Sequence, residues 1–434
     1  MHPTGPALRL YRALSPLLAA ATPLAARFSA KLARGVEGRR GLMERLLAAA
    51  PHLRGGVWFH VTSVGEYEQA RPIIAAIREQ DPDTPIMVTH FSPSGYEYAR
   101  RRPCADLHDY LPLDKPADMA RLMHAWQPRL LIFVKFDLWP NLVLAATSAA
   151  VPTVLLAGSL QPGSGRLHPV VRSMYRDLCD RFSSLGVCTE ADAARFRADL
   201  GTDTTVEVTG DTRVEQVILR WEAARGGETS GALDTLGGRF LVLGSTWPPD
   251  ENLWLPVVPE LLNRFADLRV ILTPHEPTDE RLADLERKLD RAGVTHSRLS
   301  MLTSGDHADP GRVVLTDSIG VLAEIYRSGH LAYVGGSFTT GVHNTMEPAV
   351  CSLPVFFGPK IANAEEAGTL VTCGAGRILT VPRDALASAT DLLADDNERR
   401  RVGDLAHQVV LDQRGATARS LALIRPWLVD ATHT

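Results

Sequence analysis

The stretch "VWFHVTSVGEYEQARP", residues 57–72, carries three structural signals in succession. An apolar, aromatic run ends near Thr62, small residues lead through Ser63 to Gly65, and a helical pattern follows over 66–79. In that pattern Ala70, Ile73, Ile74 and Ile77 share one face. Strand, tight turn and helix in this order form half of a βαβ unit. Glu66 stands where the helix begins. An acid there is either an N-terminal cap or a base offered at the end of a strand. The helix dipole predicts that it stays ionised at neutral pH.

The same alternation continues outward. Strand candidates are "VWFHVT" (57–62), "IMVTH" (86–90), "LLIFV" (130–134), "TVLLAG" (153–158) and "SSLGV" (183–187). After "RGGETSGALDTLGG" (225–238), which reads as a linker or exposed loop, the pattern restarts. The second set is "FLVLGS" (240–245), "LRVILT" (268–273), "RVVLT" (312–316), "LAYVGG" (331–336) and "LPVFFG" (353–358). Continuous apolar strands separated by helices predict parallel sheets covered on both faces. The fold class is therefore α/β, with two Rossmann-like, doubly wound domains facing across a cleft. The expected boundaries are 1–45 for an N-terminal segment, 46–225 and 226–415 for the two domains, and 416–434 for a C-terminal helix that crosses back.

A length of 434 residues suits two cores better than one. Residues 1–54 hold nine Lys/Arg against Glu37 and Glu44, a local charge of +7 on a chain of net charge −4, which leaves −11 for the rest. A basic end on an acidic body argues against nucleic acid as a partner and for an anionic surface. Within that end, "ALSPLLAAATPLAA" (13–26) is too short to span a bilayer and is interrupted by Pro16 and Pro23. It reads as an interfacial anchor on anionic lipids, or as a helix packed on its own domain. Basic residues continue past it, unlike the end of a signal peptide. The five cysteines form no CxxC pair and no metal-ligand spacing, as in a reducing compartment.

In such sheets ligands bind beyond the carboxyl ends of the strands. In the second half, "GSTWPPDE" (244–251) places Ser245 and Thr246 before a helix starting near Pro249 or Asp250, suited to phosphate or to simple capping. "TPHEP" (273–277) ends a strand with His275, a donor to phosphate or sugar, or a solvated loop residue. "YVGGSFTTGVHNTMEPAVCSLPVFFGP" (333–359) is the richest segment. Gly335, Gly336 and Ser337 let a ligand approach the backbone. His343 and Asn344 follow, and Glu347 is placed to accept two hydroxyls of a ribose. The alternative is a glycine-rich turn with a capping acid. There is no GxGxxG and no Walker lysine, so a nucleotide held here points to a nucleotide-sugar glycosyltransferase. In the first half, Ser63, Ser94, Lys135, Asp137 and Arg166 are the acceptor-facing candidates. Asp137 is alternatively a cap or an ion-pair partner, and Lys135 and Arg166 are alternatively exposed charges.

Taken together, "VTSVGEYEQARPII", "FVKFDLWPNL", "VTGDTRVEQV", "GSTWPPDE", "TPHEP" and the 333–359 segment resemble, in order, the 3-deoxy-D-manno-octulosonic acid (Kdo) transferases. The resemblance runs from the N-terminal segment to about residue 380. It implies a GT-B fold and inverting transfer of Kdo from CMP-Kdo to a tetraacyldisaccharide bisphosphate, the lipid A precursor, in lipopolysaccharide biosynthesis. The expected location is the cytoplasmic face of the inner membrane. The family's base falls on Glu66, and its CMP-binding residues fall on Gly335, Gly336, Ser337, His343, Asn344 and Glu347. This chain departs from many members in its shorter "TTGVHN" loop, in Pro274 before His275 where an Arg is common, and in Asp137 where a Glu is common. Phosphate already carries the departing charge, so one base suffices. With no DxD-type pair and no His/Cys cluster, metal independence is expected. Another GT-B nucleotide-sugar transferase, a nucleotide-sugar epimerase, or a non-catalytic lipid- or nucleotide-binding relative are the alternatives.

Overall fold

A computed structural model describes residues 4–223, 227–303 and 311–428. The chain divides into two units, Met1–Gln216 with Gly415–Thr434, and Val217–Arg414. Each is built on one seven-stranded sheet whose strands all pair in parallel.

The first sheet comprises β1 (Val57–Val61), β2 (Ile86–His90), β3 (Leu107–Tyr110), β4 (Leu130–Val134), β5 (Thr153–Gly158), β6 (Ser184–Val187) and β7 (Val206–Val208). Their order is β3-β2-β1-β4-β5-β6-β7, so the winding reverses between β1 and β4. Successive residues alternate between two apolar layers, as the period of two demands. Trp58, Leu131 and Phe133 enter one, with the helix residues Leu42, Leu46, Met119 and Trp126. Val57, Phe59, Ile132 and Val134 enter the other, with Ile73, Ile74 and Ile77 of helix Val64–Gln80.

The second sheet comprises β8 (Arg239–Thr246), β9 (Leu268–Pro274), β10 (His296–Arg298), β11 (Val313–Leu315), β12 (Leu331–Val334), β13 (Val355–Phe357) and β14 (Gly376–Ile378). The order β10-β11-β9-β8-β12-β13-β14 reverses between β8 and β12. Here Leu241, Leu243, Leu272, Tyr333 and Phe356 fill one layer, and Phe240, Val242, Ile271 and Ala332 the other.

Two expectations need correction. Residues 228–236 of the supposed linker form the helix Glu228–Leu236, because Leu233 is fully buried in the second unit's core and tertiary packing overrides a poor helical sequence. Residues 225 and 226 lie outside the described residues. Four strands were not anticipated, β3, β7, β10 and β14. They are three or four residues long and carry polar residues such as Asp109, Glu207 and His296, so they show no apolar run.

Pro16 and Pro23 do not break the N-terminal segment, which forms one helix, Pro6–Ala25. Pro16 has no N–H for the carbonyl of Arg12. The Ser15 hydroxyl donates to that carbonyl instead, at 3.3 Å. The helix belongs to the first unit. Leu8 is buried in its core, and the Tyr11 hydroxyl donates to the buried Asp114 carboxylate at 3.0 Å. Leu10, Leu14, Leu17, Leu18 and Leu24 are exposed on the same helix, and Phe28 beyond it is 88% exposed. Among the described residues no helix is long and apolar enough to cross a membrane.

Candidate active site

Both reversal points mark crevices at strand carboxyl ends. The site residues read from the sequence gather there, in each unit separately.

In the first unit the crevice lies between the loops after β1 and β4. Glu66 closes a capping box. Its Oε2 accepts the backbone N–H of Thr62 and, at 3.2 Å, that of Ser63. Its Oε1 accepts the Ser63 hydroxyl at 3.1 Å, and the Ser63 oxygen accepts the Glu66 N–H at 3.5 Å. The carboxyl is almost wholly buried. Burial raises its pKa above the ordinary 4.5, and the Asp137 charge adds to the rise. The Thr62 N–H, Lys135 and the Ser63 hydroxyl pull it down without cancelling the burial. The helix dipole by itself would lower the pKa of Glu66, and desolvation outweighs it.

The electrostatic coupling of Glu66 to Asp137 and Lys135 places the β1 and β4 loops within reach of each other. Lys135, the first residue after β4, has φ +67°, a left-handed backbone that non-glycine residues adopt at a cost and that clusters at functional sites. Asp137 pairs with Arg166, whose guanidinium lies 5.6 Å from the centre of the Phe136 ring and 5.7 Å from that of Tyr175. Of the readings left open, Asp137 is thus an ion-pair partner, and Arg166 already has a counter-ion. Gly95 brings the β2 loop against the β1 loop, since a Cβ there would lie 3.3 Å from the Ser63 carbonyl carbon. Ser94 is exposed beside it, 3.4 Å from the Ser92 hydroxyl.

In the second unit the crevice lies between the loops after β8 and β12, and a residue not singled out from the sequence organises it. Asp250 is fully buried. Its Oδ1 accepts the Tyr333 hydroxyl at 2.5 Å, and its Oδ2 accepts the N–H groups of Trp247 at 2.8 Å and Gly336 at 3.1 Å. Both loops thus hang on one carboxylate. "WPPDE" carried a signal for it, an acid at the third position of a helix opened by proline; the helix is Pro248–Trp254, starting one residue before the expected range. The glycines are sterically required. A Cβ on Gly335 would lie 2.3 Å from the Ser245 carbonyl oxygen, and one on Gly336, at φ +94°, 2.6 Å from that of Gly341. Ser245 is itself left-handed, φ +52°, at a register shift between β8 and β9.

His343 and His275 stack with centroids 4.6 Å apart. Asn344 donates to Glu347 Oε1 at 3.2 Å, and Arg220 lies 3.6 Å from the same oxygen, a partner 127 positions away in sequence that no local pattern announces. Two hydroxyls are turned inward. Ser337 is fully buried and accepts the Gly358 N–H at 2.6 Å, while Thr246 donates to Glu251 at 3.3 Å. Their side chains shape the loops. Among the described residues no three His, Cys, Asp or Glu side chains gather as a metal-ion site.

A family model described as 3-deoxy-D-manno-octulosonic-acid transferase (kdotransferase) matches residues 24–216. The 3-deoxy-D-manno-octulosonic acid transferase of Chlamydophila psittaci is 30% identical over 352 residues, covering 79% of this chain and 78% of that protein. Those of Haemophilus influenzae and Bordetella pertussis are 27% and 28% identical, covering 86% and 90% of this chain and 87% and 90% of theirs. Among solved structures, the UDP-GlcNAc 2-epimerase of Neisseria meningitidis matches with a TM-score of 0.62 at 11% identity, over 86% of this chain and 100% of that one. A glycosyltransferase of Rickettsia africae matches at 0.54 and 8%, over 87% and 100%. These two likenesses show the GT-B fold alone. With a relative at 30% identity spanning both units, the chain belongs to the 3-deoxy-D-manno-octulosonic acid transferase family and is a glycosyltransferase.

Proposed function

We propose that the protein transfers Kdo from CMP-Kdo, with inversion, to a hydroxyl of the lipid A precursor tetraacyldisaccharide bisphosphate. In this reading the second unit holds the cytidylate, with backbone N–H groups and His343 toward the phosphate and Glu347 toward the ribose. The first unit holds the acceptor and supplies Glu66 as the base. The observation that carries the reading is the Gly335–Gly336 loop at the second unit's reversal point, bare of side chains and pinned by the buried Asp250. Such a loop offers backbone donors at close range, which is what a phosphate needs.

Glu66 suits a base because burial has raised its proton affinity. Among the described residues Oε1 bonds the Ser63 hydroxyl alone, so it has a lone pair for an incoming alcohol. Lys135 and Arg166 supply positive charge for a phosphorylated acceptor, Arg166 by exchanging Asp137 for phosphate, and Ser63 and Ser94 supply hydroxyls just beyond β1 and β2. The exposed leucines of helix Pro6–Ala25, with exposed Arg9, Arg12 and Arg27 around them, support peripheral association with anionic lipid at the cytoplasmic face of the inner membrane. Transfer is proposed to need no metal, the phosphate charge being met by protein donors. Incubation of the purified protein with CMP-Kdo and the lipid A precursor, followed by mass spectrometry, tests the whole reading. A product heavier by Kdo residues supports it, and an unchanged precursor with intact enzyme rejects it.

A further inference from the structure

Trp247, on the loop after β8, has no place in the reading above. Its indole Nε1 can only donate, and it lies 3.0 Å from Nε2 of His343. Nε2 must therefore accept. Burial, with the neighbouring His275 adding to it, holds His343 below its ordinary pKa, while Asp250 opposes the shift; the ring is neutral at pH 7. A neutral imidazole whose Nε2 accepts carries its proton on Nδ1.

Two features confine the ring. His275 stacks on both partners, with centroids 4.7 Å from Trp247 at 25° and 4.6 Å from His343 at 11°. Gly336 lies so close that a Cβ there would be 2.9 Å from His343 Nε2. Among the described residues the hydrogen bonding of the His343 side chain ends at Trp247, which leaves Nδ1–H for something else.

We propose that Trp247 is a positioning residue for nucleotide binding: it locks His343 as the Nδ1–H tautomer, so that the imidazole presents one fixed donor to a phosphate oxygen of bound cytidylate. The inference rests on the reading of the second unit as the CMP holder. Its physical merit is preorganisation, because a donor already fixed in place needs no reorientation when the anion arrives. The opposite tautomer would set an imidazole N–H against the indole N–H.

The nitrogen NMR spectrum of histidine-labelled, unliganded protein tests the tautomer without any variant, His343 being assigned by its loss in His343→Asn. Protonated Nδ1 and bare Nε2 are expected, and a ring protonated on Nε2 at pH 7 overturns the proposal. Trp247→Phe keeps an aromatic ring but removes the N–H. It is expected to give mixed tautomers and to weaken CMP binding about tenfold by calorimetry, the loss of one hydrogen bond to a charged group. His343→Asn places an amide N–H where Nδ1–H stood, so it is expected to keep most of the affinity, whereas His343→Ala loses it. In the His343→Asn background Trp247→Phe should cost nothing further. An equal tenfold loss there would mean that Trp247 acts by packing alone, and would overturn the proposal. Failure of wild-type protein to bind CMP would overturn the nucleotide reading itself, while the nitrogen spectrum still decides the tautomer.

Discussion

In the proposed reaction Glu66 caps its helix and acts as the base with one carboxylate, and the two purposes respond oppositely to pH. A group whose folded pKa is raised stabilises the fold in its protonated form. That stability is present below the ordinary value of 4.5 and is lost as pH rises through the folded value. Catalysis as a base needs the ionised form, so activity is lost as pH falls through the same folded value. The acid limb of kcat/KM is therefore expected above pH 4.5, and a limb at or below it would contradict the burial of this group. Glu66→Gln keeps a capping box, since glutamine also serves at this position. Its melting temperature at neutral pH is expected to match or exceed the wild type, with CMP affinity unchanged and transfer slowed roughly 100- to 10,000-fold. Near-normal turnover in that variant would remove Glu66 from the chemistry.

Among the elements, the N-terminal helix and the glycine loop make separable demands. Helix Pro6–Ala25 has a docked face, held by Leu8 and by Tyr11 on Asp114, and an exposed face bearing Leu10, Leu14, Leu17 and Leu18. Deletion of the segment would disturb both. Leu17→Glu with Leu18→Glu touches only the exposed one. It is expected to leave the fold intact and to lower partitioning onto anionic vesicles by at least about tenfold, given the transfer free energy of two leucines. Unchanged vesicle binding would leave the anchor without support. In the glycine loop, Gly336→Ala meets both a left-handed φ and the Gly341 carbonyl. A loss of about 1–3 kcal/mol from the backbone alone is expected in thermal unfolding, together with loss of CMP binding.

The whole molecule is two units sharing one chain that returns. Helix Ala416–Ile424 packs on helix Val64–Gln80 and sets Leu423 and Ile424 into the first unit's core beside Val57 and Phe59. Arg419 donates to the Thr209 carbonyl at 3.1 Å. A chain ending at residue 414 is therefore expected to lose about 3–6 kcal/mol from the first unit, the burial of those two side chains, a large share of a typical domain's stability. Residues 217–414 alone should still fold, as judged by a cooperative unfolding transition. Excess chelator in the transferase assay is expected to leave the rate unchanged if protein donors carry the phosphate charge.

The sequence by itself determined the alternation that makes two parallel sheets, because apolar runs and helical periodicity are local properties of the chain. It also located the loops proposed to carry the chemistry: Lys135 and Gly335 follow directly on legible strands, and Glu66 and His343 lie in the segments just beyond them. Short edge strands such as β7, and the helix Glu228–Leu236 in place of a linker, were decided by the tertiary structure, because their stability comes from neighbours rather than from their own residues. So was the state of the site's charged groups. The helix dipole on Glu66 can be read locally, but the burial that overrides it cannot. Asp250 under Gly336, Arg220 beside Glu347, Arg166 on Asp137 and Trp247 on His343 each join residues about 30 to 130 positions apart, a range at which hydrogen bonds and ion pairs leave no periodic trace in a single sequence.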